Sequence, residues 1–287
     1  PTPVIALAAV DHCAAEGSFE VVVSASTAGI APYSISVDEG SFVSIGALPY
    51  TVTGLSSGSH KIIIQDANGC TDEETITLYK KLSINPLVTK DLDCTSSPNA
   101  AITLNVYDGK GPFTYELNVN AGGFGTASAP FTGSVVVPAS FDGTYEFRVT
   151  DSNGCFVIKT VTVDPKAVPD FDFVQTPETC ISSNDGTVTI TATAGVAPFM
   201  YSIDGGTTYQ PENKFTGLNA GGTYTIIIKD AKECLSATQP VTITEPSVVT
   251  ASHVVTPFGC DNANAPKDAI VTIIAGGGAG SAASDYS

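Results

Sequence analysis

Apolar and polar residues alternate along this chain in short runs with a period of two. In Tyr145-Glu146-Phe147-Arg148-Val149-Thr150, Tyr145, Phe147 and Val149 fall on one face and the polar residues on the other, which predicts a strand with one face on a core and one in water. Matching runs occur at His60-Lys61-Ile62-Ile63-Ile64-Gln65 and Tyr224-Thr225-Ile226-Ile227-Ile228-Lys229. Each is followed by a turn and a closing strand, Thr75 to Leu78, Thr160 to Val163 and Val241 to Thr244. Earlier strands are predicted at Phe19 to Val23, Ala101 to Val106 and Thr187 to Thr191, and at Tyr33 to Val37, Phe113 to Leu117 and Phe199 to Ile203. No run has the length and period of a helix.

These strands belong to an internal repeat. Cys13, Cys94, Cys180 and Cys260 recur about every 80 residues, and a second cysteine, Cys70, Cys155 or Cys234, follows the first three after about 54 to 61 residues. A Gly-x-x-Pro-aromatic turn keeps the same register at Gly29 to Tyr33, Gly109 to Phe113 and Gly195 to Phe199. The expected organisation is three complete repeats, 1–82, 83–168 and 169–249, and an incomplete fourth, 250–287. Each complete repeat should be an antiparallel β-sandwich of about seven strands. An odd strand number puts the chain ends of a repeat at opposite poles, so the expected fold class is all-β, with tandem immunoglobulin-like sandwiches forming an elongated rod.

The turn after each alternating strand reads Asp66-Ala67-Asn68-Gly69-Cys70, Asp151-Ser152-Asn153-Gly154-Cys155 or Asp230-Ala231-Lys232-Glu233-Cys234. Asn-Gly predicts a type I′ turn with positive φ at both central residues, and Lys232-Glu233 predicts a different turn in the third repeat. Asp66, Asp151 and Asp230 are expected to fix these turns by accepting backbone N–H groups. The rival use is calcium. Asp66, Asp72, Glu73 and Glu74, or Asp91 and Asp93, would supply ligands if they met at a junction between repeats, although no repeating calcium-loop motif is present. Asp204-Gly205-Gly206 is better explained as a hairpin turn.

Composition narrows the function. Asp plus Glu outnumber Lys plus Arg by 29 to 12, for a net charge of −17, so nucleic acid and anionic membrane surfaces are poor partners. No apolar run is long enough for a membrane helix, and no direct membrane insertion is expected of this segment. The chain opens Pro1-Thr2-Pro3 with no Met and no leader, and is expected to be a piece of a longer protein. Seven cysteines spaced tens of residues apart, without companion histidines, exclude a zinc ribbon and point to disulfides in an oxidising compartment. Pairing within repeats predicts Cys13 to Cys70, Cys94 to Cys155 and Cys180 to Cys234, with Cys260 unpaired. Three scattered histidines offer no catalytic set. His60 is expected to replace the core-facing tyrosine of its strand, and His12 and His253 to be surface residues. Tyr209 and Phe124, expected to be exposed, are candidates for glycan contact or lids on the sandwich.

The Gly-x-x-Pro-aromatic turn, the Gly-x-Tyr-x-Ile-x-Ile-x-Asp strand (Gly222 to Asp230) and Asn-Gly-Cys (Asn153 to Cys155) together resemble the SprB-type repeat of giant adhesins of gliding bacteria. The first repeat departs by having His60 for the tyrosine, and the fourth by Gly276-Gly277-Gly278-Ala279 where the turn is expected. The resemblance carries no catalytic residue and implies export by the type IX route and display on the bacterial cell surface as a long filament moved during gliding. No cofactor is expected, and partners are expected among surface glycans or polysaccharide and other filament chains. Two function classes stay open at this stage: a structural and adhesive segment of a cell-surface filament, and a glycan- or protein-binding accessory module of a secreted enzyme.

Overall fold

The computed structural model describes residues 2–278; Ala279 of the expected fourth-repeat turn lies outside them. The chain divides into two compact units, residues 1–92 with 98–165, and residues 93–97 with 166–287.

In the first unit, the first repeat contributes β1 (Val4–Ala9), β2 (Phe19–Thr27), β3 (Tyr33–Val37), β4 (Val43–Gly46), β5 (Tyr50–Leu55), β6 (Gly58–Gln65) and β7 (Thr71–Leu78). They form two antiparallel sheets, β1-β2-β5 and β4-β3-β6-β7. Phe19, Val21 and Val23 of one sheet meet Ile62 and Ile64 of the other, all five wholly buried. The second repeat adds β8 (Ile84–Lys90), β9 (Ala100–Val106), β10 (Thr114–Val119), β11 (Ser134–Ala139), β12 (Gly143–Thr150) and β13 (Phe156–Val163), in sheets β11-β9-β8 and β10-β12-β13. Its core sets Ile102 and Leu104 against Phe147 and Val149. Alternation along β12 buries Tyr145, Phe147 and Val149 and leaves Glu146 and Arg148 at the surface, where Arg148 pairs with Glu116.

The second unit holds β14 (Asp170–Thr176), β15 (Gly186–Ala194), β16 (Met200–Ser202), β17 (Lys214–Leu218), β18 (Thr223–Lys229) and β19 (Gln239–Thr242), in sheets β14-β15-β17 and β16-β18-β19 around Val188, Ile190, Ile226 and Ile228. A long two-stranded ribbon follows, β20 (Ser247–Thr256) with β23 (Ile270–Gly278), and between them lies a short hairpin of β21 (Gly259–Cys260) and β22 (Pro266–Lys267). The ribbon corresponds to β1-β2, β8-β9 and β14-β15, the first strand pair of each complete repeat. No counterpart of the second sheet faces it among the described residues, and its apolar residues Val254, Ile273 and Ile274 stay exposed.

The architecture is all-β, a tandem series of immunoglobulin-like antiparallel sandwiches. Strand number differs from the expected seven in the second and third repeats, which have six because the pairing made by β4 is reduced there to a single bridge, Phe113 with Phe131 and Tyr201 with Gln210. The same bond type marks every Gly-x-x-Pro turn: Ala31-Pro32, Gly111-Pro112 and Ala197-Pro198 are all cis.

Candidate functional site

The feature built most consistently from repeat to repeat is the turn that ends in a cysteine. Asp66 Oδ1 accepts the N–H groups of Asn68 and Cys70, both at 2.9 Å, and its Oδ2 accepts that of Ile30 at 3.1 Å. Asp151 does the same with Asn153, Cys155 and Lys110 at 2.9, 3.0 and 3.1 Å. Asp230 takes Lys232, Cys234 and Val196 at 2.9, 2.9 and 3.2 Å. Backbone bonds close each loop, from the Asp N–H to the cysteine carbonyl and from the residue before the cysteine to the Asp carbonyl. The three aspartates are buried, so each carboxylate is satisfied by amides rather than water. At Asp66 the Ile30 amide, with those of Cys70 and Asn68 behind it, outweighs desolvation and holds the carboxyl below its ordinary range.

This geometry corrects two turn expectations. Only the residue before the cysteine has positive φ, at Gly69 (81°) and Gly154 (85°), so the turn is a five-residue aspartate-anchored loop and not type I′. The third repeat does not use another turn: Glu233 adopts φ 62° at the glycine position and keeps every backbone bond. The Gly-x-x-Pro glycine is required beneath the turn. A Cβ on Gly109, where φ is 90°, would lie 2.9 Å from Leu82 Cδ1 and 3.2 Å from Asp151 Oδ2.

The cysteine pairing expected within repeats is overturned. Cys13 is bonded to Cys155 and Cys94 to Cys234, so a leading cysteine joins the turn cysteine one repeat on. Cys70, Cys180 and Cys260 are free thiols; Cys70 is half-buried and the other two exposed. The reason is visible in the first repeat. Ile5, at the start of β1, donates its N–H to Asp72 beside the Cys70 turn, whereas the Cys13 loop follows the far end of β1. In that loop Glu16 accepts the N–H of Ser57, just ahead of β6, and the Cys70 turn follows the end of β6. At ~3.3 Å per residue, the length of β6 puts the two loops roughly 25 Å apart, far beyond the ~5.5 Å between Cα atoms that a disulfide spans. The chain leaves the first repeat at the Cys13 pole, since Leu78 of β7 pairs with Gly58, and enters the second at the turn pole, where Leu82 packs near Gly109. Cys13 and Cys155 therefore face each other, Cα to Cα 5.4 Å. In the second compact unit, residues 93–97 carry Cys94 to Cys234 at 4.9 Å, and the Cys94 N–H also donates to the Lys232 carbonyl.

The leading loops are themselves held by acids. Asp11 accepts the Cys13 N–H, Asp93 the Thr95 N–H and hydroxyl, and Asp185 the Thr179 N–H and the hydroxyls of Thr179 and Ser183. The Ser183 and Thr179 hydrogen bonds bring Asp185 down to about 2. The calcium candidates are thus spread over separate backbone duties. Asp66 and Asp72 serve amides in the first repeat and Asp93 serves Thr95, while Asp91 makes its own contacts. No group of three or more His, Cys, Asp or Glu able to hold a metal occurs among the described residues. Asp204 closes its own loop on Ser202, Thr207 and Thr208, and Thr208 foremost holds its carboxyl well below the ordinary range.

His60 is buried at the tyrosine position. Tyr145 donates its hydroxyl to the carbonyl of Phe141, four residues back, and His60 donates Nε2–H to Ser56, also four residues back. Sequence reasoning missed its second partner, Asp38 Oδ2 at 2.8 Å from Nδ1. Both partners are acceptors, so the ring satisfies both only when doubly protonated. Burial opposes that charge, but the Asp38 and Ser56 bonds prevail and raise the His60 pKa; Asp38 is lowered, as the His60 and Lys61 bonds overcome its own desolvation. His12 and His253 are exposed. Phe124 and Tyr209, expected to be exposed, are half-buried and covered by cations, Arg148 at 4.6 Å and Lys229 at 5.0 Å from the ring centroids.

Comparison with known proteins places this module in context. The SprB repeat family matches residues 87–122 and 173–208. Both matches begin at the same place relative to the leading cysteine and run past the Gly-x-x-Pro turn. No curated protein sequence matches the chain. Similar solved structures include a tetra-tandem repeat in the extending region of a large adhesion protein, 14% identical over 95% of this chain and 88% of that one, TM-score 0.25. Drosophila OTK extracellular domains 3-5 are 12% identical over 85% and 100% of the two chains, TM-score 0.25. The Bacteroides ovatus SGBP-B in complex with mixed-linkage heptasaccharide is 13% identical over 83% and 66%, TM-score 0.17. No helix among the described residues is long and apolar enough to cross a membrane.

Proposed function

We propose that this chain, which carries SprB repeats at residues 87–122 and 173–208, is a non-catalytic, tension-bearing segment of a bacterial cell-surface adhesin. The observation that carries the reading is the bonding of successive repeats, Cys13 to Cys155 and Cys94 to Cys234. Bonds of this kind persist in an oxidising, extracellular compartment. The Cys13–Cys155 bond ties the two sandwiches of the first unit together at the poles where the chain passes between them, which suits a protein that is pulled.

The finer reading is export by the type IX route and service in gliding movement. Adhesion to surface polysaccharide would fall to the loops that vary between repeats, residues 38–46, 119–130 and 205–214, since loops on a fixed scaffold change specificity without disturbing the core. A charge of −17 keeps neighbouring filaments apart. The test is deletion of the stretch encoding residues 1–249 from the parent gene. Attachment and surface movement should weaken while secretion and growth continue. Unaltered attachment together with loss of a hydrolytic activity would overturn the reading in favour of an accessory module.

A further inference from the structure

We propose that the Cys70 turn is a receiving site for the leading cysteine of another repeat of this type, joined ahead of the first, and that the cysteines form a ladder in which each leading cysteine is bonded to the turn cysteine one repeat on. Two rungs are present, and they obey one rule although they lie in different compact units. Cys70 stands where Cys155 and Cys234 stand. Its turn has the same carboxylate-to-amide bonds, the same closing backbone bonds and the same left-handed residue before the cysteine. The turn that holds a bonded cysteine in the second and third repeats is therefore present at Cys70 in the first.

The other end of the ladder shows the complementary half. Cys180, a leading cysteine, lines an open cavity of about 400 Å³ together with Ile181, Pro246, Val249 and Gly278. Gly278 belongs to the glycine run that takes the place of Gly109 in the fourth repeat, and Gly109 is the residue on which the Asp151 turn rests. The cavity is thus where the turn of a completed fourth repeat would seat its cysteine against Cys180. Cys260 stands in the same relation to a fifth.

Each rung forms when two thiols lose their protons and together give two electrons to an external disulfide, such as oxidised glutathione or a disulfide oxidoreductase, which is reduced to two thiols. The occupant of Cys70 is specified by the two rungs already present: a leading loop organised by an acid, as Asp11 organises that of Cys13 and Asp93 that of Cys94.

The experiment joins a second copy of residues 169–249 ahead of the 287-residue chain, oxidises the product with glutathione and maps its disulfides without reduction. The expected result is a bond from the leading cysteine of the added repeat to Cys70, with Cys13–Cys155 and Cys94–Cys234 intact. Iodoacetamide labelling of Cys70 should fall at least about tenfold relative to the unextended chain, as expected for an intramolecular partner at millimolar effective concentration. Three results would overturn the proposal: Cys70 remaining free while the two present rungs form; a bond between the two cysteines inside the added repeat; or absence of the two rungs themselves. A Cys70–Cys180 bond between two unextended chains, seen as a dimer on a non-reducing gel that reduction removes, would assign the site to a second copy and overturn it equally.

Discussion

Asp151 shows how much rests on single residues in these repeats. Replacing it with Ala leaves three N–H groups without their acceptor, that of Cys155 buried and those of Asn153 and Lys110 part-buried, and at about 1 kcal/mol for each the Asp151→Ala chain should lose roughly 2 to 4 kcal/mol in the second repeat. Urea denaturation followed by the Tyr145 environment would read it. His60 gives a pH signature instead. Its folded pKa is raised, so its contribution is complete below about pH 6.5, the unfolded value, and is lost as pH rises through the folded one. Asp38 is lowered, so its contribution is present above about pH 3.9 and disappears as pH falls through its folded value. The first repeat should therefore be most stable between those two limits, and the protection factors of the Ile62 and Ile64 amides, taken against the intrinsic base-catalysed rate, should fall from pH 6 to pH 8. His60→Tyr should abolish that change. The tyrosine-like role of His60 was legible from its place in the strand pattern. The Asp38 contact was not, because it depends on a loop in which Asp38 and Glu39 both take positive φ.

At the scale of elements, the strands that were easiest to read are those whose alternation is unbroken. β6, β12 and β18 each pair on both sides, and β6 and β12 bury alternate residues, so the period survives in the sequence, while β18 buries Ile226, Ile227 and Ile228 in a row. β5 and β17 were missed for the opposite reason. Each contains a glycine at positive φ, Gly54 and Gly217, and each pairs with a register shift that breaks the period of two. The first strands, β1, β8 and β14, sit at sheet edges, where Pro86 is tolerated and an apolar run such as Val4 to Ala9 shows little alternation. The turns were read by residue type and not by their anchor. Because Asp230 supplies the hydrogen bonds, Glu233 is carried into a conformation that glycine would take at lower cost. Glu233→Gly should stabilise the third repeat by about 0.5 to 1 kcal/mol, the left-handed penalty less the extra glycine entropy. Chemical denaturation with Cys94–Cys234 intact would measure it.

For the whole molecule, the positions of the cysteines and their period were plain in the sequence, but their partners were not. Spacing says how far apart two cysteines are along the chain and nothing about which pole of a sandwich each loop occupies; that depends on the direction of β1 and β6. Each bond closes a loop of about 140 residues, worth about 5 kcal/mol in the chain-entropy model. The two loops also overlap, between Cys94 and Cys155. A protease cut at any single peptide bond from Cys13 to Cys234 leaves the two halves covalently joined, and a cut inside the overlap leaves them joined twice. Chain nicked by trypsin between Cys13 and Cys234 should therefore migrate as one species until reduced and as fragments afterwards, whereas in a Cys13→Ser, Cys155→Ser chain a nick between Cys13 and Cys94 should release the leading piece at once. Between Cys13 and Cys234 the two ends of such a chain would be severed from each other only by three cuts, one in each interval between successive bonded cysteines, and its connectivity would outlast the integrity of its backbone.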